Sequence, residues 1–346
     1  MAIEIIATGR AIPPRRLTNH DLAAKLDTSD AWIRSHTGIG ARHIADEDTA
    51  CSDLALEAAR QALVMVAAQE GSGNETGDMT QVALTLDVII LGTATPDYLG
   101  CPSTACVVQD KLGARNAAAL DITAGCSGFI YGLEIAAGLL GTRSGRKRAL
   151  VIGSEILSRF VDWTDRGMCI LFGDGAGAAI VERTENPSAG PAKQGLLRTI
   201  LGADGSGTEH LIMWRGGSRN PYKPGDLDGM PPHIEMNGRA VYNFAVKSVT
   251  ETIENLLAQE NITINEVSRI VPHQANARIV QAAGKRLGIP EEKFFLNIQE
   301  YANTSAASIP IALDELNRAG ELRKGDLIMT IGFGAGLTYG GNLIIW

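Results

Sequence analysis

Cysteine and the aromatic residues are scarce in this chain. Of its 346 residues, five are cysteine and 5 % are aromatic. The cysteine count is odd and the spacing never repeats, which argues against a disulfide framework and against a zinc site. Free thiols in a reducing compartment are favoured instead, so we expect a cytoplasmic protein.

A long apolar run is also missing. No segment approaches the ~18 apolar residues that a membrane helix needs. Residues 1–10 read as a strand that contains Glu4, not as a secretory signal with a basic start and an apolar core. We therefore expect a soluble protein with no membrane partner.

An excess of positive charge is the third absence. The formal net charge is −8 at pH 7, which disfavours nucleic acid as a partner, although an acidic protein can still carry a local basic patch. The length, by contrast, is ample for two domains or for one duplicated unit with a sizeable core.

The chain contains an internal repeat with a long period. "LDVIILGTATP" (86–96) has a counterpart in "VSRIVPHQANA" (267–277), and "ALVIGSEI" (149–156) has one in "DLIMTIGF" (326–333), at nearly the same offset. In each half a turn of small residues opens a helical stretch between these strands. The recurring strand-turn-helix units predict an α/β protein with parallel sheets covered by helices, built from two similar halves.

The halves are predicted to span residues 1–185 and 186–346. The seam falls in "ERTENPSAGPAKQG" (182–195), which is rich in turn residues. A second polar stretch, residues 68–81, is expected to form a long surface loop between a helix and a strand.

Cys126 stands among small residues in "ALDITAGCSGFIYGLEIAAGLL" (119–140). A buried structural cysteine can have large neighbours. Because the neighbours of Cys126 are small, we expect a reacting group to approach its sulfur. At the first turn of a helix the backbone amides favour a thiolate, and we expect a lowered pKa and a nucleophilic sulfur. Cys51, Cys106 and Cys169, which lie in patterned segments, are expected to be buried and inert.

Two polar residues in the second half occupy positions that suit partners of this nucleophile. His273 directly follows a short apolar strand in "VPHQANARIV", and Asn303 stands at a helix start in "YANTSAASIP". Catalytic groups in parallel α/β sheets collect at the carboxyl ends of strands, so Cys126, His273 and Asn303 are expected to converge on one pocket.

At these motifs the chain resembles the β-ketoacyl-acyl-carrier-protein synthase III family, condensing enzymes of the thiolase superfamily that start bacterial type II fatty acid synthesis. Besides the cysteine turn, the resemblance rests on "DTSDAWI", "TGIGARH", "TDRGMCILFGDGAGAAI", "PHQANARI", "NTSAASIP" and "GFGAGLTYG". It covers nearly the whole chain. It implies a thiolase-like fold with layered α-β-α-β-α architecture, and chemistry that needs no metal and no other cofactor.

The resemblance also implies a mechanism. The Cys126 thiolate attacks an acyl-CoA primer, and the backbone amides of Cys126 and Ala335 hold the oxyanion. Malonyl-acyl carrier protein then enters, and neutral His273 and Asn303 donate hydrogen bonds to its thioester carbonyl. Loss of carbon dioxide leaves an enolate that attacks the acyl-cysteine.

Sites for CoA follow from the same resemblance. Trp32 and Arg166 flank the adenine by stacking and cation–π attraction. Gly238, Tyr242 and Asn276 complete the predicted CoA-binding set. The family's usual arginine four residues after the tryptophan is His36 in this chain. Arg34 lies nearby, so either residue could take its place.

Carrier-protein docking and assembly complete the expectations. Arg278, Lys285 and Arg286 share one side of a helix, which suits an acidic carrier protein, although a merely solvated charged face is the alternative. Family members are typically homodimers, and "TATPDYLGCPSTACVVQ" (93–109) resembles the segment that reaches into the neighbour's pocket. Cys101 stands there where acetyl-specific members carry phenylalanine, which predicts room for longer primers.

Other functions compete with this interpretation. The order Cys, His, Asn also occurs in papain-like hydrolases, and a noncatalytic thiolase-fold subunit is a second possibility. The closest rival is a starter condensing or acyl-transfer enzyme of a polyketide, quinolone or other secondary pathway, because such enzymes share all three residues.

Overall fold

The structure is a computed structural model that describes residues 2–71, 79–142, 145–184, 194–223 and 233–346. The strands in these ranges are β1 (Ala2–Ala11), β2 (Arg15–Thr18), β3 (Ala41–Ile44), β4 (Val88–Gly92), β5 (Ala118–Ile122), β6 (Arg148–Glu155), β7 (Gly175–Thr184), β8 (Gly195–Ala203), β9 (Leu211–Met213), β10 (Ile234–Met236), β11 (Arg269–Pro272), β12 (Leu327–Gly334) and β13 (Thr338–Ile345). The α-helices are α1 (Asn19–Ala23), α2 (Asp30–Thr37), α3 (Cys51–Gln69), α4 (Met79–Leu84), α5 (Thr104–Leu112), α6 (Gly128–Gly141), α7 (Gly238–Glu260), α8 (Ala277–Leu287), α9 (Ile298–Tyr301) and α10 (Ser308–Arg318).

The two larger sheets repeat one pattern of strand pairing. The first has the order β1-β7-β6-β4-β5, with β4 parallel to β5 and β6, and with β7 antiparallel to β6 and β1. The second has the order β11-β12-β13-β8, with β11 parallel to β12 and the other pairs antiparallel. Phe294 forms a single parallel β-bridge to Ile270 of β11, at one edge of the second sheet. This edge corresponds to the edge of the first sheet that β5 occupies.

Both sheets are therefore mixed, and the prediction of parallel sheets was wrong for part of each. A parallel pair needs a crossover connection of about a dozen residues or more. The link from β12 to β13 spans only residues 335–337, so these strands can pair only in the antiparallel sense. The strand-turn-helix pattern predicted the parallel strands correctly but did not reveal the antiparallel strands.

The sequence repeats occupy equivalent strands. β4 and β11 contain the first repeated pair of segments, and β6 and β12 contain the second. The first sheet uses residues 2–184 and the second uses residues 195–345. Residues 185–193 lie outside the described ranges, so the boundary at 185/186 stays a prediction.

Helices lie between and outside the sheets, which gives the predicted α-β-α-β-α layering. The central layer consists of α6 and α10, whose buried side chains meet apolar residues from the inner faces of both sheets. Helices α3 and α5 cover the outer face of the first sheet, and α7 and α8 cover the second. Strands β4 and β6 are buried along their whole length, which explains their continuous apolar sequence.

The stretch 68–81 is more helical than predicted. Helix α3 continues to Gln69 and α4 begins at Met79, while residues 72–78 lie outside the described ranges. Among the described helices, none combines the length and the apolar character needed to cross a bilayer.

Candidate active site

Cys126 lies in a 3-10 turn (Gly125–Ser127) between strand β5 and helix α6. Gly125 opens the turn at φ 51°, and a Cβ on it would come within 2.6 Å of the backbone nitrogen of Ala335. A Cβ on Gly334 would overlap the backbone nitrogen of Cys126. Both positions need glycine because the end of β12 packs directly against the turn that carries the thiol.

His273 directly follows strand β11 and is buried. Its Nδ1 lies 2.7 Å from Oγ of Ser308, at the start of α10. If the Ser308 hydroxyl donates this bond, the ring proton is on Nε2, where it can serve a ligand. Burial lowers the pKa of His273 to about 3, so the imidazole is neutral at physiological pH.

Asn303 lies just before a second 3-10 turn (Ser305–Ala307), which leads into α10. Its backbone nitrogen donates to the Leu171 carbonyl at 2.9 Å. Its side-chain Oδ1 accepts a hydrogen bond of 2.8 Å from the backbone nitrogen of Ser305. This bond fixes the amide with Nδ2 as the donor that remains for a ligand.

The structure brings Cys126, His273 and Asn303 together on the lining of one cavity. Three of the predicted CoA-binding residues, Gly238, Tyr242 and Asn276, line the same cavity. A thiol beside two neutral N–H donors can form a thioester and can stabilise negative charge on a carbonyl oxygen.

The environment of the thiol differs from the prediction. Burial, with a smaller contribution from the charge of Glu155, raises the pKa of Cys126 to about 12. The expectation of a lowered pKa was wrong, because loss of hydration around the sulfur outweighs the amides at the helix start. The resting enzyme therefore holds a thiol.

An apolar pocket also adjoins Cys126. Ser305 and Ala335 line it, together with apolar side chains that the sequence analysis missed: Leu157, Phe172, Leu211, Met213 and Ile234. These residues carried no signal, because isolated leucines and isoleucines in different segments look like ordinary core residues. A pocket with this lining suits an acyl chain.

Comparisons with known proteins agree with this geometry. Family models described as 3-oxoacyl-[acyl-carrier-protein (ACP)] synthase III and as its C-terminal part match residues 120–205 and 257–346. The chain is 47 % identical over 346 residues to beta-ketoacyl-[acyl-carrier-protein] synthase III of Syntrophomonas wolfei, covering 100 % of this chain and 98 % of the relative. The chain belongs to the β-ketoacyl-acyl-carrier-protein synthase III family.

Solved structures of the family share the thiolase-like fold. The crystal structure of 3-oxoacyl-[acyl-carrier-protein] synthase III from Aquifex aeolicus VF5 matches with a TM-score of 0.85 and 43 % identity, covering 100 % of both chains. The priming beta-ketosynthase from the R1128 polyketide biosynthetic pathway matches with a TM-score of 0.86 and 31 % identity, covering 99 % of this chain and 96 % of that one.

The remaining CoA residues that the family resemblance implies lie apart from the cavity lining. The Arg166 guanidinium carbon is 5.9 Å from the Trp32 ring centre. A base stacked between them needs about 7 Å, two contacts of about 3.5 Å. The two groups would therefore have to separate by about 1 Å to admit a base. Arg166 also donates a 2.7 Å hydrogen bond to the Asp27 carbonyl.

His36 and Arg34, the two candidate replacements for the family's usual arginine, both contact side chains of their own helix. His36 stacks on Trp32, with ring centres 4.2 Å apart. Nε of Arg34 donates to both carboxylate oxygens of Asp30 at 2.9 Å. Arg34 is therefore engaged within helix α2, and His36 supports the tryptophan.

The other four cysteines differ in their exposure to solvent. Cys51 and Cys169 are buried as expected, whereas Cys101 and Cys106 are exposed. The expectation for Cys106 was wrong, because this side of α5 faces outward in the single chain. Cys101 lies on the exposed loop before α5 and lines neither cavity of its own chain, so its predicted role requires a second copy.

The raised pKa of Cys126 can be tested by titration. Because a raised pKa leaves the sulfur protonated below it, we expect no thiolate at this position below about pH 9, and ionisation only as the pH approaches 12. Ultraviolet thiolate absorbance of the wild type, minus that of Cys126→Ala, isolates this sulfur. A midpoint below pH 8 would contradict the buried-thiol environment.

Proposed function

We propose that this chain catalyses the decarboxylative condensation of an acyl-CoA primer with malonyl-acyl carrier protein. The product is a β-ketoacyl-acyl carrier protein, which starts fatty acid synthesis. The observation that carries the proposal is the convergence of Cys126, His273 and Asn303 on one cavity in a chain of this family.

Cys126 acts first. Its sulfur attacks the primer thioester, and CoA leaves as the acyl group is transferred. The backbone amides of Cys126 and Ala335 are proposed to hold the oxyanion. Ala335 has no positive φ and so does not require glycine at that position, although its neighbour Gly336 does have φ 140°. The apolar pocket receives the acyl chain.

His273 and Asn303 act in the second half-reaction. Malonyl-acyl carrier protein enters, and Nε2 of His273 and Nδ2 of Asn303 donate to its thioester carbonyl. Carbon dioxide leaves, and these donors stabilise the enolate that remains. The enolate attacks the acyl-cysteine. A neutral imidazole suits this role, because a donor is needed and a proton acceptor is not.

This division of labour predicts different losses in different variants. Cys126→Ser should abolish transacylation, because a serine hydroxyl is a far weaker acid than a thiol. His273→Ala and Asn303→Ala should retain much of the acylation and lose about 10²-fold or more in decarboxylation. Mass spectrometry after incubation with acyl-CoA checks the first step, and release of carbon dioxide checks the second. An unacylated His273→Ala protein would contradict the assignment.

The exposed side of α8 is the proposed docking face for the carrier protein. Arg278, Lys285 and Arg286 are all exposed on this helix. Asn276 caps the helix and Ile279 lies on its buried side, and both line the active-site cavity. The basic face therefore adjoins the cavity, and an acidic carrier protein bound there would hold its malonyl group close to Cys126.

Charge reversal tests the docking face. Arg278→Glu should raise the KM for malonyl-acyl carrier protein by about tenfold and leave acylation by acyl-CoA nearly unchanged. Arg60→Glu is a matched control, since Arg60 is exposed on α3, on the opposite outer layer. Steady-state kinetics with both substrates provides the measurement. Equal loss in both half-reactions would show that Arg278 is not a docking residue.

We also propose a homodimer, in the cytoplasm, whose first sheets join. Strand β5 is an edge strand, and its side chains from Ala119 to Ile122 are only partly buried. Tyr98 and Leu99, in the adjoining loop, are 56 % and 63 % exposed. An edge strand beside exposed apolar side chains is a surface that a second copy can cover.

In that dimer we propose that Cys101 closes the end of the acyl pocket of the other copy. Its small side chain leaves space there for a longer acyl chain. The wild type should accept primers longer than acetyl, each buried methylene adding about 0.8 kcal/mol, or roughly fourfold in binding. Cys101→Phe should shift the preference towards acetyl-CoA, whereas Cys101→Ser should keep the wild-type profile. Acyl-CoAs of increasing length provide the panel, and light scattering checks the dimer. An unchanged preference in Cys101→Phe would contradict this role.

A starter enzyme of a polyketide pathway is the second candidate. The observation that favours it is the similarity, at 31 % identity, to the priming beta-ketosynthase from the R1128 polyketide biosynthetic pathway. Carrier proteins from fatty acid and polyketide systems, offered in competition, distinguish the two. Hydrolysis is disfavoured, because a pKa of about 3 makes His273 a poor general base.

A further inference from the structure

Arg42, on strand β3, is a buried arginine that the two half-reactions above do not use. Its side chain is fully buried, and burial lowers its pKa to about 10, so the guanidinium is still charged at neutral pH. Within the described ranges its hydrogen bonds go to uncharged oxygens. Nη1 donates to the Leu17 carbonyl at 3.2 Å and to Asn19 Oδ1 at 3.0 Å, and Nη2 donates to the Ile170 carbonyl at 2.8 Å. A buried cation with uncharged partners is costly, which indicates that these bonds have a purpose.

Residues 170–173 connect Arg42 to Asn303. The backbone nitrogen of Asn303 donates to the Leu171 carbonyl at 2.9 Å, and the backbone nitrogen of Gly173 donates to the Asn303 carbonyl at 3.0 Å. This 170–173 segment and Asn303 therefore pair as a short parallel bridge. The carbonyl that Arg42 Nη2 holds is the first of the segment. Arg42 thus fixes the start of the segment that pairs with both backbone groups of Asn303.

The backbone that leads into Asn303 is strained. Ala302 has φ 56° and ψ −153°, a conformation that residues with a Cβ rarely adopt. Strained backbone persists only where the surrounding structure determines it strongly. The pairing with the 170–173 segment is such a contact, and Arg42 holds that segment from its other side.

The packing between these parts is tight. A Cβ on Gly173 would come within 2.7 Å of the Tyr301 carbonyl oxygen and within 3.1 Å of Cβ of Arg42. The side-chain Oδ1 of Asn303 accepts from the backbone nitrogen of Ser305, so any shift of this backbone carries Nδ2 with it. A misplacement of about 1 Å in a catalytic group can cost about 10²-fold in rate.

We propose that Arg42 is a positioning residue for Asn303. Through the 170–173 segment it holds the Asn303 amide where Nδ2 can donate to the thioester carbonyl of malonyl-acyl carrier protein, an inference that rests on the proposed function. In the described structure Arg42 lines neither cavity, so it acts through Asn303 and not on a substrate. Its effect falls on the second half-reaction, because Cys126 is carried by a different turn, which packs against β12.

Two substitutions of Arg42 test this role. Arg42→Met keeps the packing of the aliphatic stem and removes the donors. It should slow decarboxylation by enzyme acylated to completion beforehand about tenfold or more, as a loss in kcat with KM for malonyl-acyl carrier protein nearly unchanged. Single-turnover acylation should stay within about threefold of the wild type. Arg42→Lys keeps the charge without the planar fork, so it should show a smaller loss in the same half-reaction. It decides the question if Arg42→Met does not fold.

A double-mutant cycle separates positioning from general damage. Because Arg42 acts through Asn303, adding Arg42→Met to Asn303→Ala should slow decarboxylation by less than about twofold further. An equal loss in both backgrounds would overturn the positioning role. Wild-type decarboxylation in the folded Arg42 variants would overturn it too, and so would equal slowing of the two half-reactions.

Arg148→Met is the matched control. Arg148 is also a buried arginine, but it begins strand β6 and donates to Glu70, Thr85 and Glu182, and it lines neither cavity. Its loss should lower the melting temperature and leave the ratio of the two half-reaction rates as in the wild type. A changed ratio in this variant would show that destabilisation alone produces the effect assigned to Arg42, and would overturn the proposal.

A crystal structure of Arg42→Met gives a measurement that does not need activity. The Asn303 amide should be displaced from its place beside His273 by about 0.5 Å or more. An amide that has not moved would overturn the positioning role. A wild type that takes no acyl group from any acyl-CoA and releases no carbon dioxide would overturn the proposed function instead, so the two failures can be told apart.

Discussion

The close approach of two backbones at the centre of the molecule is the constraint on which the site depends. The Cys126 turn lies against the end of strand β12 with no space for a Cβ on Gly125 or Gly334. That contact joins the nucleophile of the first half to the strand that pairs with β11, the strand before His273. The proposed catalytic residues, which are far apart in the sequence, are thereby held together.

The same dense packing sets the protonation of the two central groups. Loss of water keeps His273 neutral, which suits its proposed role as a donor. It also keeps Cys126 protonated, which works against its proposed role as a nucleophile. The same environment therefore favours the proposed second half-reaction and disfavours the first.

The sequence predicted the site better than it predicted the sheets. Cys126, His273 and Asn303 were recognisable because each stands among small or polar residues at a strand end. The antiparallel strands β7 and β13 were not, since a strand sequence does not show the direction of its neighbour. Exposure of Cys106 and the pKa of Cys126 depend on tertiary packing, which local pattern does not encode.

The two 3-10 turns that open the central helices occupy equivalent places in the repeat. Gly125 and Ser305 begin these turns with nearly equal backbone angles, φ 51° and 48°, yet one turn carries the sulfur and the other carries a hydroxyl. An assembly of two identical single-repeat chains would have to present the same residue at both places. Joining the repeats in one polypeptide removes that restriction, so each turn can mutate independently. Fusion of the repeats therefore allows a thiol on one turn and a different side chain on the other.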